Sequence, residues 1–456
     1  PGGFQVANSC RFNSASSDAL TKTLGSGGNR KTFTISLWTK PSSVSQQQMF
    51  ISADSNQFGF ENNGIIFFYE NNGGTEKPYV RWSPQYKDTG AWYHVCLAID
   101  TTQGTASNRM KLYVNGSQVT DTISATYPDQ NQDLTWNTNV AHAIGRYSGS
   151  GGHYDGYMSE IMLINGSALA PTSFGEFNSQ TGIWIPKDVS GLTPGTNGFY
   201  LDFKDSANLG NDAFGGTDWA EVNLTSLDQS TDTCTTNFAT ANSIGAQRIG
   251  GGSIRPTAYS EGNLRVVLGS SQYYTRATST IAVPVGKWYW ETKMISNCDS
   301  SADPTIGIIG TDGMQSSQTG TSPNSSMQYR YNGQKGYNNV GNASYGATWT
   351  NGDIIGIALD LTSATKTITF YKNGTTQGVA FSGDGTSDGF NPASQYWSAF
   401  WVAGGSNNAT MDINMGSPAY AISSGNTDGN GFGNFEYAVP TGFLSLNTKN
   451  LAAVLA

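Results

Sequence analysis

Glu160 and Glu291 are the glutamates in strand-like stretches of this 456-residue chain that could supply acid–base chemistry. Glycoside hydrolysis requires two carboxyl groups that flank the scissile bond, one as acid and one as base or nucleophile. Carboxylates that project from the same face of a strand stand two residues apart in sequence. Neither glutamate has a carboxylate at that spacing. The sequence therefore predicts that the protein is not an enzyme.

The three histidines, His94, His142 and His153, give little support to catalysis. His94 lies in an apolar strand-like run, where we expect a hydrogen-bonded core histidine. His153 is followed by Tyr154 and Asp155 at the end of a glycine-rich loop, and these three residues could line a ligand pocket. A surface loop without a ligand is the alternative for this cluster. No Ser/His/Asp or Cys/His set can be assembled from the spacing.

The segment PDQNQD is the best local candidate for a metal site. Its residues Asp129, Asn131 and Asp133 alternate like the first oxygen ligands of a calcium loop. The segment lacks the glycine and the bidentate glutamate of an EF-hand, so it could hold Ca²⁺ only in a looser arrangement. Asp384 and Asp388 form a weaker candidate of the same kind. Ca²⁺ is thus the one cofactor that the sequence suggests, and a loop without an ion is the alternative.

Loops rich in aromatic, amide and acidic side chains are the other chemical feature of the sequence. Sugars bind to aromatic faces and to hydrogen-bonding groups that project from loops. Each aromatic residue in these loops could instead be a packing residue. Together with the cluster at the glycine-rich loop, the predicted ligand-binding set comprises Trp82, Tyr86, Tyr127, Trp136, His153, Tyr154 and Asp155.

Composition and charge exclude several classes of protein. Charged residues and aromatic residues each make up 12% of the chain, and glycine occurs 56 times. Frequent turns and few helical patterns favour an all-β protein. The net charge of -9 argues against a nucleic-acid partner. The apolar runs are far shorter than the roughly 20 residues of a membrane span, and the polar start predicts no signal peptide.

Two stretches of the sequence share the same predicted order of a strand, a second strand and an Asn-Gly turn. In 92–99 both faces are mostly apolar, which predicts a central strand inside a sandwich. Residues 109–114 then alternate between polar and apolar side chains, and Asn115-Gly116 predicts a tight hairpin turn. The same order recurs in 351–381, with its turn at Asn373-Gly374. The repeat predicts two modules of similar architecture.

These two stretches resemble the cores of known families. The first, W-x-H-V…D…L-Y-V-N-G, resembles laminin-G-like domains of the concanavalin A-like lectin and glucanase superfamily. The second, G-D-x-I-G…L-D…F-x-K-N-G, resembles SPRY domains. The resemblance implies two antiparallel concanavalin A-like β-sandwiches of the jelly-roll type, joined by an extended and mostly irregular connector. It also implies carbohydrate or peptide binding, while the E-x-D-x-E motif of the glucan hydrolases is not found in the sequence.

The predicted order of regions follows from these resemblances. Residues 1–181 are predicted to form the laminin-G-like sandwich, and 251–425 the SPRY-like sandwich. Residues 182–250 form the predicted connector, which is too long and too aromatic for a free linker. We expect it to pack between the domains or onto a neighbouring subunit. The remaining residues, 426–456, are predicted to be a C-terminal tail that docks on the body or on a partner.

The predicted connector carries the resemblance with the most direct bearing on function. Its stretches D-F-K-D-S-x-N-L-G-N-D and D-Q-S-x-D-T resemble segments of structural proteins of marine bacteriophages. This resemblance implies a capsid decoration or tail-fibre component at the virion surface, made in the host cytoplasm. Its partners would be other virion proteins and a host surface glycan. We also expect a homo-oligomer, with a trimer favoured. The alternative is an extracellular glycan-processing enzyme or its carbohydrate-binding module.

Overall fold

The structure is a computed structural model in which the chain divides into two compact units, Pro1–Thr236 and Asn237–Ala456. Regular structure in the described residues is almost entirely β, in agreement with the predicted fold class. None of the described helices has the length and apolar character that a bilayer span requires. The residues that the structure describes are 3–149, 151–244, 248–249, 252–253, 256–314, 325–337, 340–383, 390 and 394–456.

The first unit is built from two antiparallel eight-stranded sheets and one small hairpin. In chain order its described strands are β1 (Ser9–Phe12), β2 (Ala19–Thr23), β3 (Thr32–Pro41), β4 (Gln48–Ala53), β5 (Asn56–Glu61), β6 (Ile65–Asn72), β7 (Thr75–Gln85), β8 (Tyr93–Asp100), β9 (Met110–Val114), β10 (Ser117–Val119), β11 (Thr122–Thr126), β12 (Ala141–Ile144), β13 (Gly156–Asn165), β14 (Gly175–Phe177), β15 (Trp184–Pro186), β16 (Phe199–Leu201), β17 (Ala220–Val222) and β18 (Gln229–Ser230).

The order of strands makes each sheet a continuous layer. The first sheet has the order β10-β9-β8-β3-β13-β1-β18, with β16 paired to β13. The second sheet has the order β11-β7-β6-β5-β4-β12-β2-β17, and β14 pairs with β15 in the hairpin. Short 3₁₀ segments connect some of the strands: Asn62–Gly64, Ala106–Asn108, Pro171–Ser173 and Ser226–Asp228.

The predicted central strand and its hairpin are confirmed. Strand β8 lies between β3 and β9, and its apolar side chains alternate into the core between the sheets. At the following turn Asn115 and Gly116 have φ values of 48° and 79°. Both residue types tolerate this left-handed conformation, which a type I′ turn requires. The second predicted turn behaves alike, with φ values of 47° at Asn373 and 76° at Gly374.

Aromatic side chains fill much of the core of the first unit. Phe50 packs edge-on against Phe58 and Phe60, with ring centroids 5.4 and 4.8 Å apart. Fully burying one side chain of this size contributes about 1.5–3 kcal/mol to folding. The pleat of β5 places Phe58 and Phe60 inward and directs the side chains of Gln57 and Glu61 to the outer face of the second sheet.

The segment 182–236 lies within the first unit. Much of it is irregular, but its short strands join the sheets: β16 pairs with β13, β17 with β2 and β18 with β1. Phe199 and Trp219 enter the core, where their rings contact edge-on at 4.8 Å. These pairings bring the last strand of the unit beside its first strand.

The second unit folds around one extended antiparallel sheet with the order β27-β26-β25-β24-β31-β23-β28-β29-β30. The described elements are β19 (Arg248–Ile249), β20 (Gly252–Ser253), β21 (Ala258–Ser260), β22 (Arg265–Val283), β23 (Lys287–Ser296), β24 (Thr305–Gly310), α1 (Thr311–Met314), β25 (Ser326–Arg330), β26 (Gln334–Tyr337), β27 (Val340–Ser344), β28 (Ile354–Asp360), β29 (Lys366–Lys372), β30 (Thr375–Gly383), β31 (Trp397–Asn414), β32 (Leu444–Ser445) and α2 (Thr448–Leu455).

Two long strands and the C-terminal residues complete this unit. Strand β22 pairs with β31 over most of its length, and β31 also pairs with β23 and β24. The core contains several tryptophans, among them Trp290 and Trp401. Near the C-terminus β32 adds to β23 in parallel, and Phe435 packs on Tyr289 at 5.3 Å. The C-terminal residues are thus part of the packed body of the unit.

Candidate functional site

Both strand carboxylates are buried and are held by the protein's own donors. Glu160 accepts a hydrogen bond of 2.6 Å from the Tyr200 hydroxyl, and burial raises its pKa to about 7. Glu291 accepts hydrogen bonds from the backbone N–H groups of Glu436 and Tyr437 at 3.0 and 2.9 Å, and burial raises its pKa too. Since the two side chains lie in the interior, their hydrogen bonds stabilise the folded units.

A third carboxylate, Glu70, lies in the interior of the first unit. One oxygen accepts hydrogen bonds from the backbone N–H and the hydroxyl of Thr135, at 3.0 and 3.2 Å. Its other oxygen, Oε2, has no hydrogen-bond partner among the described residues. Burial is the main cause that raises the Glu70 pKa from 4.5 to about 7. The folded protein thus favours the protonated form.

We expect the Glu70→Gln variant to lose less stability than the wild type as the pH rises. A folded-state pKa above the unfolded value gives stability that is present below pH 4.5 and lost as the pH rises through 7. The shift corresponds to on the order of 3 kcal/mol. Urea unfolding at pH 4.5 and 8 measures the difference between variant and wild type. A difference that does not change with pH contradicts the prediction, and Glu76→Gln, at an exposed position, is the control.

His94 confirms the prediction of a hydrogen-bonded core histidine. Its Nε2 lies 2.9 Å from the Ser36 hydroxyl, and its ring stacks on Trp184. Burial lowers the His94 pKa to about 3 and the His142 pKa to about 4. Both imidazoles are therefore neutral at physiological pH and lie within the packed interior.

Three of the predicted ligand-binding aromatic residues lie in the core instead. Trp82, Trp136 and Tyr154 are 2%, 0% and 0% exposed. Their loops or strands turn inward, so the neighbouring side chains cover the ring faces that a sugar would need. Tyr86 and Tyr127 are half-buried against the same core. The aromatic character of these stretches therefore reflects packing in at least three positions.

In the predicted cluster of His153, Tyr154 and Asp155, the aspartate binds Ser14. Asp155 accepts hydrogen bonds of 2.7 Å from both the backbone N–H and the hydroxyl of Ser14. His153 is half-buried, and burial and the Arg146 charge lower its pKa. Asp155 thus holds the turn after β1, while a ligand at His153 stays a prediction.

The carboxylates of the predicted calcium loop face lysine side chains, and calcium binding there stays a prediction. Asp129 forms an ion pair of 2.7 Å with Lys77, and Asp133 lies 3.9 Å from Lys31. Asn131 adopts a left-handed conformation, with φ of 63°, in the turn between them. No group of three or more His, Cys, Asp or Glu side chains suited to a metal occurs in the described part of the chain. The second candidate pair, Asp384 and Asp388, lies outside the described residues.

The outer face of the second sheet carries a cavity of about 350 Å³. Strand β5 contributes Glu61, which the pleat directs away from the core residue Phe60. Strand β7 contributes Arg81, which lies between two core residues in sequence and therefore faces outward. The residues that line this first cavity are Gln47, Glu61, Asn62, Asn63, Ile65 and Arg81.

A second cavity, of about 280 Å³, lies beside the first. Gln47 of the first cavity donates a hydrogen bond of 3.1 Å to Gln57 and accepts one of 2.6 Å from the Tyr147 hydroxyl. Both of these partners line the second cavity, so the two cavities share a hydrogen-bonded wall. We call the two cavities together the cavity face. The second cavity is lined by Asp54, Ser55, Gln57, Tyr147, Ser148 and Gly149.

An ion pair determines the charge of the first cavity. The Arg81 guanidinium donates to Glu61 Oε2 from Nη2 at 2.6 Å and to both Glu61 oxygens from Nε at 2.9 Å, and this contact raises the Arg81 pKa. The Tyr79 hydroxyl donates to the same carboxylate at 3.0 Å. The two charges cancel across a bidentate contact, which leaves the amides as the available polar groups.

The sequence alone does not single out the cavity face. Gln57 and Glu61 look like ordinary polar residues on the wet side of a strand. The alternation in β5 and β7 indicates that these side chains share one face, but it does not reveal which strands are neighbours. Pairing of β6 with both strands is what brings Glu61 and Arg81 together.

Two family models match separate parts of the sequence. Residues 14–172 match the family model of the concanavalin A-like lectin/glucanases superfamily. Residues 287–404 match the SPRY domain model. A search of curated proteins gives no match to the chain. The two family matches lie in different compact units. They are the sequence-based support for the classification of the chain.

Solved structures similar to the chain are distant in sequence. The SPRY domain of human HERC1 is 18% identical, with 38% of this chain and 96% of that chain covered and a TM-score of 0.29. The heptameric SAP-like pentraxin of Limulus polyphemus is 18% identical, with 34% of this chain and 79% of that chain covered and a TM-score of 0.23. A candidate carbohydrate-binding protein of Bacteroides ovatus is 16% identical, with 48% of this chain and 58% of that chain covered and a TM-score of 0.30. The family models alone show that residues 14–172 form a laminin-G-like domain of the concanavalin A-like superfamily and that residues 287–404 form a SPRY domain, a combination that indicates carbohydrate or protein binding.

Proposed function

We propose that the protein is a non-enzymatic bacteriophage virion component, either a capsid decoration or part of a tail or fibre. Its laminin-G-like domain would bind a host surface glycan, and its other partners would be virion proteins. The observation that carries the binding function is the cavity face, with two adjoining polar cavities beside the half-buried Tyr147 ring. The virion role rests on the resemblance of residues 202–212 and 228–233 to phage structural proteins.

The positions of the strand carboxylates support binding over hydrolysis. A hydrolase needs an acid and a base that reach the scissile bond from opposite sides. Glu160 and Glu291 lie in different compact units, and each is buried in hydrogen bonds with its own unit. The cavity face carries two carboxylates: Glu61, which is occupied by Arg81 and Tyr79, and Asp54, which lines the other cavity.

We expect the Tyr147→Ala variant to weaken glycan binding by at least about tenfold, which corresponds to 1.4 kcal/mol. The substitution removes the aromatic surface of the second cavity and the hydrogen bond to Gln47. Binding to a glycan array and titration with the strongest ligand measure the effect. Tyr396→Ala, at an exposed tyrosine of the second unit, is the matched control and should bind like the wild type. Equal binding by Tyr147→Ala would place the glycan elsewhere.

The enzymatic alternative has a direct assay. Incubation of the protein with algal and bacterial polysaccharides should release no reducing ends. Release that disappears in Glu160→Gln or Glu291→Gln would favour a glycan-processing enzyme and contradict the proposal.

The virion role and the oligomeric state need separate measurements. A reconstruction of the intact particle should contain density for this chain on its outer surface. Native mass spectrometry should show a homo-oligomer, with a trimer expected. Particles that lack the chain would contradict the virion role, and a monomer would contradict only the predicted assembly.

A further inference from the structure

We infer that the cavity face is one continuous site for an uncharged oligosaccharide of at least two sugar units. This inference rests on the proposed glycan binding and adds the charge and the length of the ligand. Three observations carry it: the cancelled charge of the Glu61–Arg81 pair, the unengaged amides beside it, and the wall that joins the two cavities.

The charges of the cavity face do not suit an acidic ligand. Arg81 is the only cation among the described lining residues, and its guanidinium is held by Glu61. An acidic sugar would have to compete with that carboxylate and would meet its negative charge at close range. The second cavity adds Asp54, which is exposed and forms no side-chain hydrogen bond within the described residues. The chain as a whole has a net charge of -9, which also repels polyanions.

The neutral polar groups suit sugar hydroxyls. Asn62 and Asn63 are exposed, and their side-chain amides form no hydrogen bond with the described residues. An amide both donates and accepts, and so does a hydroxyl, so adjacent hydroxyls of one sugar ring can pair with adjacent amides. Gln47 and Gln57 already pair through one donor and one acceptor, and each amide has further bonding capacity.

The shared wall sets the minimum length of the ligand. Both cavities meet at the hydrogen bonds that join Gln47 to Gln57 and Tyr147. A single sugar ring would occupy only one cavity, whereas a chain that crosses the wall would contact both. The Tyr147 ring lies close against Gly152, where an added Cβ atom would come within 2.9 Å of the ring. Its hydroxyl is fixed by Gln47, so the aromatic surface is ordered before the ligand binds.

The test compares ligands that differ only in charge or length. An array of matched neutral, uronate and sulfated oligosaccharides with one, two and four sugar units is probed with the wild-type protein. We expect binding of neutral ligands of two or more units. Single sugars and acidic ligands should bind at least tenfold more weakly. Preference for acidic ligands, or equal binding of one and four units, would overturn this inference and leave glycan binding intact. Absence of binding to every glycan would instead reject the proposed function.

A charge variant tests the role of the ion pair. Glu61→Gln keeps an acceptor for Tyr79 but leaves the Arg81 charge unpaired in the first cavity. We expect this variant to gain at least tenfold in binding to the acidic oligosaccharides. Glu76→Gln removes the same charge at an exposed position that does not line either cavity, and it should keep the wild-type preference. Thermal unfolding of both variants verifies that they are folded. An unchanged preference in folded Glu61→Gln would overturn the inference.

Discussion

Replacement of Asp232 by alanine is expected to lower the free energy of unfolding of the first unit by about 3–5 kcal/mol, because it removes the buried carboxylate that pairs with the buried Lys40 ammonium. Lys40 Nζ lies 2.8 Å from Asp232 Oδ2, and both side chains are only 1% exposed. The indole N–H of Trp92 donates to the other carboxylate oxygen at 3.0 Å. Urea unfolding followed by tryptophan fluorescence measures the loss.

An exposed ion pair in the same unit provides the control. Asp129 lies 2.7 Å from Lys77, but its side chain is 71% exposed. Asp129→Ala should therefore cost at most about 1 kcal/mol. The double variant Lys40→Met/Asp232→Leu should recover part of the lost stability, because it removes both buried charges. An Asp232→Ala variant as stable as Asp129→Ala would show that Lys40 finds another partner or reaches solvent.

The second large effect is expected from Glu291→Ala in the second unit. The substitution removes the acceptor of the backbone N–H groups of Glu436 and Tyr437. A buried donor left without an acceptor costs about 1–3 kcal/mol, and these two N–H groups are partly buried. We therefore expect lower stability together with faster proteolysis of the C-terminal residues. Urea unfolding and limited proteolysis with mass spectrometry of the products measure both effects.

Glu436→Ala is the matched control for this position. Its carboxylate accepts a hydrogen bond from Ser423 N at 2.8 Å near the surface, and the backbone N–H that Glu291 binds is unchanged. The loss should be no more than about 1 kcal/mol. A Glu291→Ala variant with wild-type stability that nevertheless abolished a polysaccharide-degrading activity would assign the carboxylate to catalysis.

The sequence predicts the fold well where local signals and periodicity agree. The Asn115-Gly116 and Asn373-Gly374 turns require left-handed conformations that few residue pairs accept, so sequence nearly determines them. Strand β8 is apolar on both faces because it lies inside the first sheet and is covered on both sides. Such patterns depend on neighbours in the chain, which a single sequence displays directly.

The site is harder to predict because exposure depends on tertiary packing. Trp136 follows a polar, loop-like segment, yet it is fully buried and packs on Phe68 at 5.3 Å. Trp136 is buried because the long loop between β11 and β12 packs back onto the core, and no local sequence pattern indicates this packing. Conversely, the contact of Glu61 with Arg81 depends on the register of three strands. The residue types thus indicate sugar-binding chemistry, but the pairing of strands decides which of them reach solvent.

The pairing of β1 with β18 has a mechanical consequence. Ser9 lies opposite Ser230 and Cys10 opposite Gln229, so the chain enters and leaves the first unit through adjacent antiparallel strands. The hydroxyls of Thr233 and Thr235 also donate to Val6 O, each at 3.1 Å. Tension along the polypeptide would therefore pass through this short ladder and bypass most of the sandwich. The second sheet would therefore keep its shape while such tension acts on the β1–β18 pair.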